Sequence, residues 1–355
     1  MRMRGHGTLA MVSCAGAWLA LVSSLSLAQS AVRASPASTN GATSAGVQAS
    51  GDPAALKAAR DRAADDLRVR IEASPKLPFV ATMFTARPPS VDWRSGMVSW
   101  VALDAKGNLY ELQRGDKADP ILVLDSGGKL LRSWGRGEYT IPHSIRIDPA
   151  GNIWTVDAAS SLVVKYSSRG EKLMAIAVGE QPQMKGPFNG ATDIAFGPNG
   201  RLFITDGYGN ARVLEYTPDG KRVKQWGEHG VGPGQFHLPH AIQIGPDGVI
   251  YVADRENGRI ETFDLDGRFL GEITGLGRVY SLKLVGGVLW AGMAPLNLPT
   301  GAPGWLVKLD AKTGKMLGHL DVDGEHVLHG VEVTASGEPI TTAGDQVMWF
   351  KSSRR

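Results

Sequence analysis

Three histidines are set apart by their register. His143, His240 and His329 each stand eight residues ahead of a turn glycine, at Gly151, Gly248 and Gly337. In the intervening copies that place belongs to Ser99, Thr192 and, ahead of a turn one residue shorter, Tyr280. His229, His237, His319 and His326 share no such register, and His326 is the one rival to His329. Taken singly, a His after Pro at a strand start is a packing or turn residue. Three at one offset on alternate copies of a repeat instead present imidazoles to a common point. With a fourth position open, that is the ligand set of a catalytic zinc.

Three more polar residues sit where second strands end. Tyr208 follows Thr205-Asp206-Gly207, Arg255 follows Val252-Ala253-Asp254, and Arg114 follows Glu111-Leu112-Gln113. A shared repeat topology opens all three ends on the face that carries the histidines. A guanidinium fork grips a carboxylate bidentately, and a nearby cation lowers the pKa of a phenol. The set therefore suits an anionic substrate. A surface ion pair is the plain alternative for each arginine, for Arg255 with Asp254 or Glu256. Asp157, Asp206 and Asp254 recur at one repeat position and read as structural carboxylates that accept turn N–H bonds.

The elements that must hold these residues are short strands. Residues 236–264 read FHLPHAIQIGPDGVIYVADRENGRIETFD, three β-type runs broken by Pro-Asp-Gly and Asn-Gly turns. The phrase recurs over 141–166 and 190–216, with blurred copies over 100–112, 279–292 and 328–350. The turn glycines Gly107, Gly151, Gly200 and Gly248 lie 44, 49 and 48 residues apart. A period near that length, with several strands per unit, predicts an all-β, six-bladed β-propeller. The fifth blade, around Gly286 and Gly287, is poorly written.

Composition bounds the rest. The net charge of +3 is spread along 355 residues without a block of one sign, which implies neither nucleic acid nor an anionic membrane as partner. Arg2, Arg4, an apolar run from Leu9 to Val22 and the small-x-small Ser26-Leu27-Ala28 predict a signal peptide over 1–28. Its removal implies an exported protein, periplasmic or extracellular, with no membrane attachment after cleavage. Cys14 falls inside that leader, so the mature chain has no disulfide and relies on its core or on metal. Residues 29–79 read as a linker followed by one short helix, opened at Asp52-Pro53 and ended by Pro75 and Pro78. The propeller, the catalytic part, spans 80–355, and a monomer is expected.

The stretches DGYGNARVLEYTPDGKRVKQWG, GPGQFHLPHAIQIGPDG and VADRENGRIETFD resemble NHL-repeat propellers. More narrowly they are similar to peptidyl-α-hydroxyglycine α-amidating lyase (peptidylamidoglycolate lyase), over roughly 95–351. The resemblance implies zinc on His143, His240 and His329, substrate-binding and catalytic roles for Arg114 and Arg255, and Tyr208 as the catalytic tyrosine. It also implies a structural calcium on the backbone carbonyls of Val101 and Ile145. The Asp that completes that calcium set in the family is Gly330 here, and the family cysteine after the tyrosine is Gly209. The implied reaction splits a carbinolamide into a peptide amide and glyoxylate. Tyr208 takes the hydroxyl proton, and Arg114 and Arg255 hold the carboxylate of a peptide or small-molecule substrate. No copper monooxygenase domain fits into residues 29–80, so a separate monooxygenase is the implied partner. Two other classes stay open: a non-catalytic NHL propeller binding a protein, peptide or glycan, and a propeller hydrolase of lactonase type.

Overall fold

A computed structural model describes residues 53–179, 187–325 and 327–353. The signal-peptide segment, most of the linker and His326 lie outside the described residues. Among those described, six four-stranded antiparallel sheets follow one another as the blades of a propeller. Their inner strands are Val98–Leu103, Pro142–Ile147, Ala191–Phe196, Pro239–Ile244, Arg278–Val285 and Val327–Val333. Each packs against the next, and the sixth against the first. No blade covers its own apolar faces, so ring closure is what completes the core.

The turns explain the repeat. Asp148 shows the device: its carboxylate accepts the N–H groups of Ala150 (3.0 Å) and Asn152 (2.9 Å), and Gly151 supplies φ +80°. Such an Asx turn fixes the hairpin between first and second strands. The weakly written fifth blade has the longest strand among the described residues, Arg278–Val285, paired with Val288–Ala294. Gly286 and Gly287, both at positive φ, close that hairpin in two residues, as a primed turn requires.

Closure uses both ends of the domain. The sixth blade takes three strands from the C-terminal part, and Phe79–Phe84 adds its outer strand, pairing Phe79 with Ser352 and Phe84 with Val347. The helix Pro53–Glu72 lays Leu67 and Ile71 into the cluster that holds Leu276 and Val279. Arg70 donates to the carbonyl of Thr274 (3.0 Å), while Leu56 stays half-buried. This helix leans on the disc through its second half, and Arg60 and Asp61 add contacts to Glu256 and Asn297.

Candidate metal centre

At the ring position five of the six inner strands share an irregularity. Register shifts occur between Val98 and Trp100, Pro142 and Ser144, Ala191 and Asp193, Pro239 and Ala241, and Val279 and Ser281. The skipped residues are Ser99, His143, Thr192, His240 and Tyr280. In the sixth strand a shift between Val327 and Val331 spans His329. A bulge leaves one residue unpaired and re-aims its side chain. Backbone strain accompanies two of these sites, since Leu238 (φ +70°) and Leu328 (φ +66°) adopt the left-handed region just ahead of His240 and His329.

The three imidazoles meet. Their ring centroids are 4.6, 4.8 and 4.9 Å apart, and one ligand nitrogen from each lies within 4.8 Å of the others. Each Nδ1 donates to the carbonyl of the ring residue in the next blade. His143 reaches Thr192 (2.6 Å), His240 reaches Tyr280 (2.6 Å), and His329 reaches Ser99 (2.7 Å). A carbonyl can only accept, so each Nδ1 carries the proton and Nε2 is left as the lone-pair nitrogen. Burial, then the charges of His329 and Arg114, hold His143 well below the usual imidazole range. Burial and Arg255, then His143 and His329, do the same to His240. Two neutral, buried and oriented imidazoles beside a third fit a divalent metal of the zinc class better than they fit calcium.

Tyr208 closes the centre. Its hydroxyl lies 3.2 Å from Nε2 of His143 and 3.1 Å from Nε2 of His240. Burial raises its pKa above the ordinary phenol value, while the charges of Arg255 and Arg114 pull it back. Arg255 Nη1 donates to that hydroxyl at 3.4 Å, and its guanidinium carbon lies 5.8 Å from the Tyr208 ring. Arg114 donates from Nε to the carbonyl of Pro142 (2.9 Å), while its Nη2 is buried with no partner among the described residues. A buried guanidinium N–H of this kind is a donor suited to an anionic oxygen.

Other residues at the centre were not legible in advance. Glu256 accepts from Arg255 Nε (3.1 Å) and Arg278 Nε (3.0 Å), with Arg60 of the helix at 3.5 Å. Phe188 stacks against Tyr208 (centroids 4.9 Å apart), with the Arg114 guanidinium 5.5 Å from its ring. The carbonyls of Ser99, Thr192 and Tyr280 form the other half of the ring. Their places could be counted from the sequence, but the direction of a carbonyl could not. Asp157 accepts the N–H groups of Thr140 and Ile141, and Asp254 that of His237, so these carboxylates brace turns.

The calcium set implied by the resemblance lacks its side-chain carboxylate. Val101 and Ile145 lie in adjacent inner strands, of the first and second blades. Position 330 leaves no room for a carboxylate, because a Cβ there would come 2.8 Å from Trp100 Cα. Calcium wants about six to eight oxygen ligands with carboxylates among them, and two main-chain carbonyls with a glycine do not fit it.

Comparisons with known proteins agree with the fold first. Residues 192–276 match a family described as a 6-bladed beta-propeller. Among solved structures, a virginiamycin B lyase from Staphylococcus aureus superposes with a TM-score of 0.55 at 15% identity, covering 77% of this chain and 99% of that one. A gluconolactonase from Xanthomonas campestris gives 0.52 at 14% identity, over 78% and 97%. At such identities the likeness concerns the fold alone.

The sequence relatives are narrower. Mouse peptidyl-glycine alpha-amidating monooxygenase is 35% identical over 57% of this chain, and the chain spans only 24% of its length. The Drosophila melanogaster peptidyl-alpha-hydroxyglycine alpha-amidating lyase 1 is 34% identical over 45% of this chain and 32% of its own. Human NHL repeat-containing protein 3 is 32% identical over 52% and 57%. The chain is thus a six-bladed propeller of NHL type that resembles the amidating lyases.

Proposed function

We propose that this chain is a metal-dependent lyase that cleaves a peptidyl-α-hydroxyglycine, R–CO–NH–CH(OH)–COO⁻, into the amide R–CO–NH2 and glyoxylate. The observation that carries the reading is the convergence of three carbonyl-oriented imidazoles with the Tyr208 hydroxyl and the unmatched Nη2 of Arg114. His143, His240 and His329 would hold a zinc-class ion. Such an ion supplies Lewis acidity toward an oxygen of the substrate.

The protein's own groups do the rest. Arg114 receives the substrate carboxylate through Nη2, and Arg255 adds a second positive charge across the Tyr208 ring. Both charges oppose the burial that raises its pKa, and a cation on the three histidines would act in the same direction, so the Tyr208 oxygen is the group placed to take the α-hydroxyl proton. The O–H electron pair becomes the second C–O bond of the aldehyde. The C–N bond breaks, its pair goes to the amide nitrogen, and the proton held on Tyr208 returns there. Oxidation states and atoms balance without a co-reactant.

The assay is direct. Purified, metal-loaded protein is given α-hydroxyhippurate and glyoxylate is followed. Turnover is expected, with a loss of about 10²–10⁴-fold in Tyr208→Phe, the size of a general-base contribution. No glyoxylate above buffer would sink the reaction, whatever the metal content. The other reading, a non-catalytic NHL propeller that binds a protein, peptide or glycan, predicts protein without stoichiometric metal. We further propose that residues 1–28 direct export, that 29–79 link and brace, and that 80–355 carry catalysis. No helix among the described residues is long and apolar enough to cross a membrane.

A further inference from the structure

Between one and three residues past the ring positions the inner strands carry a different set of groups. Trp100, fully buried, meets His329 edge-on (5.7 Å between centroids) and His143 at 6.2 Å. The guanidinium of Arg146, itself buried, lies 4.8 Å from the Trp100 centroid. Its Nε and Nη2 donate to the two oxygens of Asp193, at 3.0 and 2.6 Å, and Nη2 also reaches the carbonyl of Leu282 at 3.3 Å. Asp193, with no exposed surface, accepts the N–H of Ile242 as well, at 3.1 Å.

These contacts draw on five blades: Trp100 from the first, Arg146 from the second, Asp193 from the third, Ile242 from the fourth and Leu282 from the fifth. The sixth adds Gly330, whose lack of a side chain lets the Trp100 backbone approach. A divalent ion at this level would meet a fixed guanidinium, and Asp193 already has both oxygens engaged. Like charges in a buried site are costly to hold together. A guanidinium fork on a carboxylate supplies the same service as a bridging cation, linking main-chain carbonyls and an anion from separate blades.

We propose that the Arg146–Asp193 pair is the resident cation and counter-ion of the central channel, so that the ring closes without calcium. Arg146 is also a positioning residue, since it backs Trp100 against two of the three histidines. The first statement is independent of the function proposed above; the second rests on the three histidines holding a metal, though not on the reaction.

The test has two arms. Thermal unfolding of the protein is recorded in calcium-free buffer and at saturating calcium, with a calorimetric calcium titration alongside. Coincident curves and no calcium uptake are expected; a rise of several degrees, or one bound calcium, overturns the proposal. In the second arm Arg146→Ala leaves Asp193 buried without its cation, and its Tm is expected to fall by roughly 6–20 °C. Adding Asp193→Asn should recover part of that fall. Arg146→Lys keeps the charge but not the fork and should lie between. The positioning role predicts that zinc binds Arg146→Lys at least several-fold more weakly than wild type. A wild-type Tm in Arg146→Ala, or wild-type zinc affinity in Arg146→Lys, overturns the corresponding statement. Where Arg146→Ala does not fold, Asp193→Asn alone reads the pair, and the calcium arm needs no variant.

Discussion

Glu256 is the residue through which the site and the N-terminal helix are joined, and Glu256→Gln measures that link. Its carboxylate accepts from Arg255 at 3.1 Å and from Arg278 at 3.0 and 3.1 Å, with Arg60 at 3.5 Å. Arg255 and Arg278 are both buried, so a neutral amide leaves two desolvated guanidiniums with no anion. Removing one partner of a buried pair costs about 3–5 kcal/mol. Glutamine keeps one acceptor oxygen, worth about 1 kcal/mol, which brings the expected loss to roughly 2–4 kcal/mol. For a domain of this size that is a Tm lower by about 4–16 °C. Arg255 also loses the contact that orients its fork, so KM for α-hydroxyhippurate should rise by about tenfold, or 1.4 kcal/mol, with a smaller change in kcat. Arg60→Ala is the control: its pair with Glu256 is half-exposed and long, and is worth under about 1 kcal/mol. Calorimetry and steady-state kinetics on the two variants decide the matter. Unchanged Tm and KM in Glu256→Gln would refute the view that this carboxylate organises the site.

Further expectations concern charge, anion binding and ring closure. His143 and His240 are held neutral when folded, so below about pH 6.5 the unfolded chain binds more protons than the folded one. The metal-free protein should therefore lose stability as pH falls from there, by up to about 2.7 kcal/mol per pH unit for the pair; denaturant titrations at several pH values, with His143→Gln as comparison, read the slope. Arg114→Ala removes the unmatched Nη2 and should lower kcat/KM by roughly 10–150-fold, the worth of a hydrogen bond to a charged group. Uncharged analogues lacking the carboxylate should show no such difference between the two proteins. Gly330→Asp must displace the Trp100 backbone. It should cost about 1–3 kcal/mol, as overpacking does, and a melting curve at saturating calcium should not recover it.

Much of the disc was legible because its signals are local. Gly107, Gly151 and Gly248, all at positive φ, mark hairpin turns that glycine makes at least cost. The fifth blade read poorly because a two-glycine turn and longer strands replace the Pro-Asp-Gly signature, although the pairing itself is regular. At the site, counting from those turns was enough to bring His143, His240 and His329 to one place, since equivalent repeat positions share a radius. Arg255 and Tyr208 followed from the same count. What counting does not carry is direction and long-range partnership. Glu256 read as the partner in a surface ion pair, yet it is an almost buried hub for three arginines separated by up to 218 residues in sequence. Arg146 and Asp193 sit in strands with ordinary alternation, and nothing local marks their pairing across blades. Gly277 likewise carries no local signal, yet a Cβ there would come 2.1 Å from the carbonyl oxygen of Ala294 and 2.9 Å from Leu67 of the helix.

Metal content is the most direct measure of the central claim. Elemental analysis of wild-type protein, purified without chelator and loaded with zinc, is predicted to give one ion per chain. His143→Ala, His240→Ala and His329→Ala should each lose it while keeping the wild-type β-sheet signal. A folded wild type that takes up no zinc, or single variants that bind it as tightly as wild type, would contradict the account.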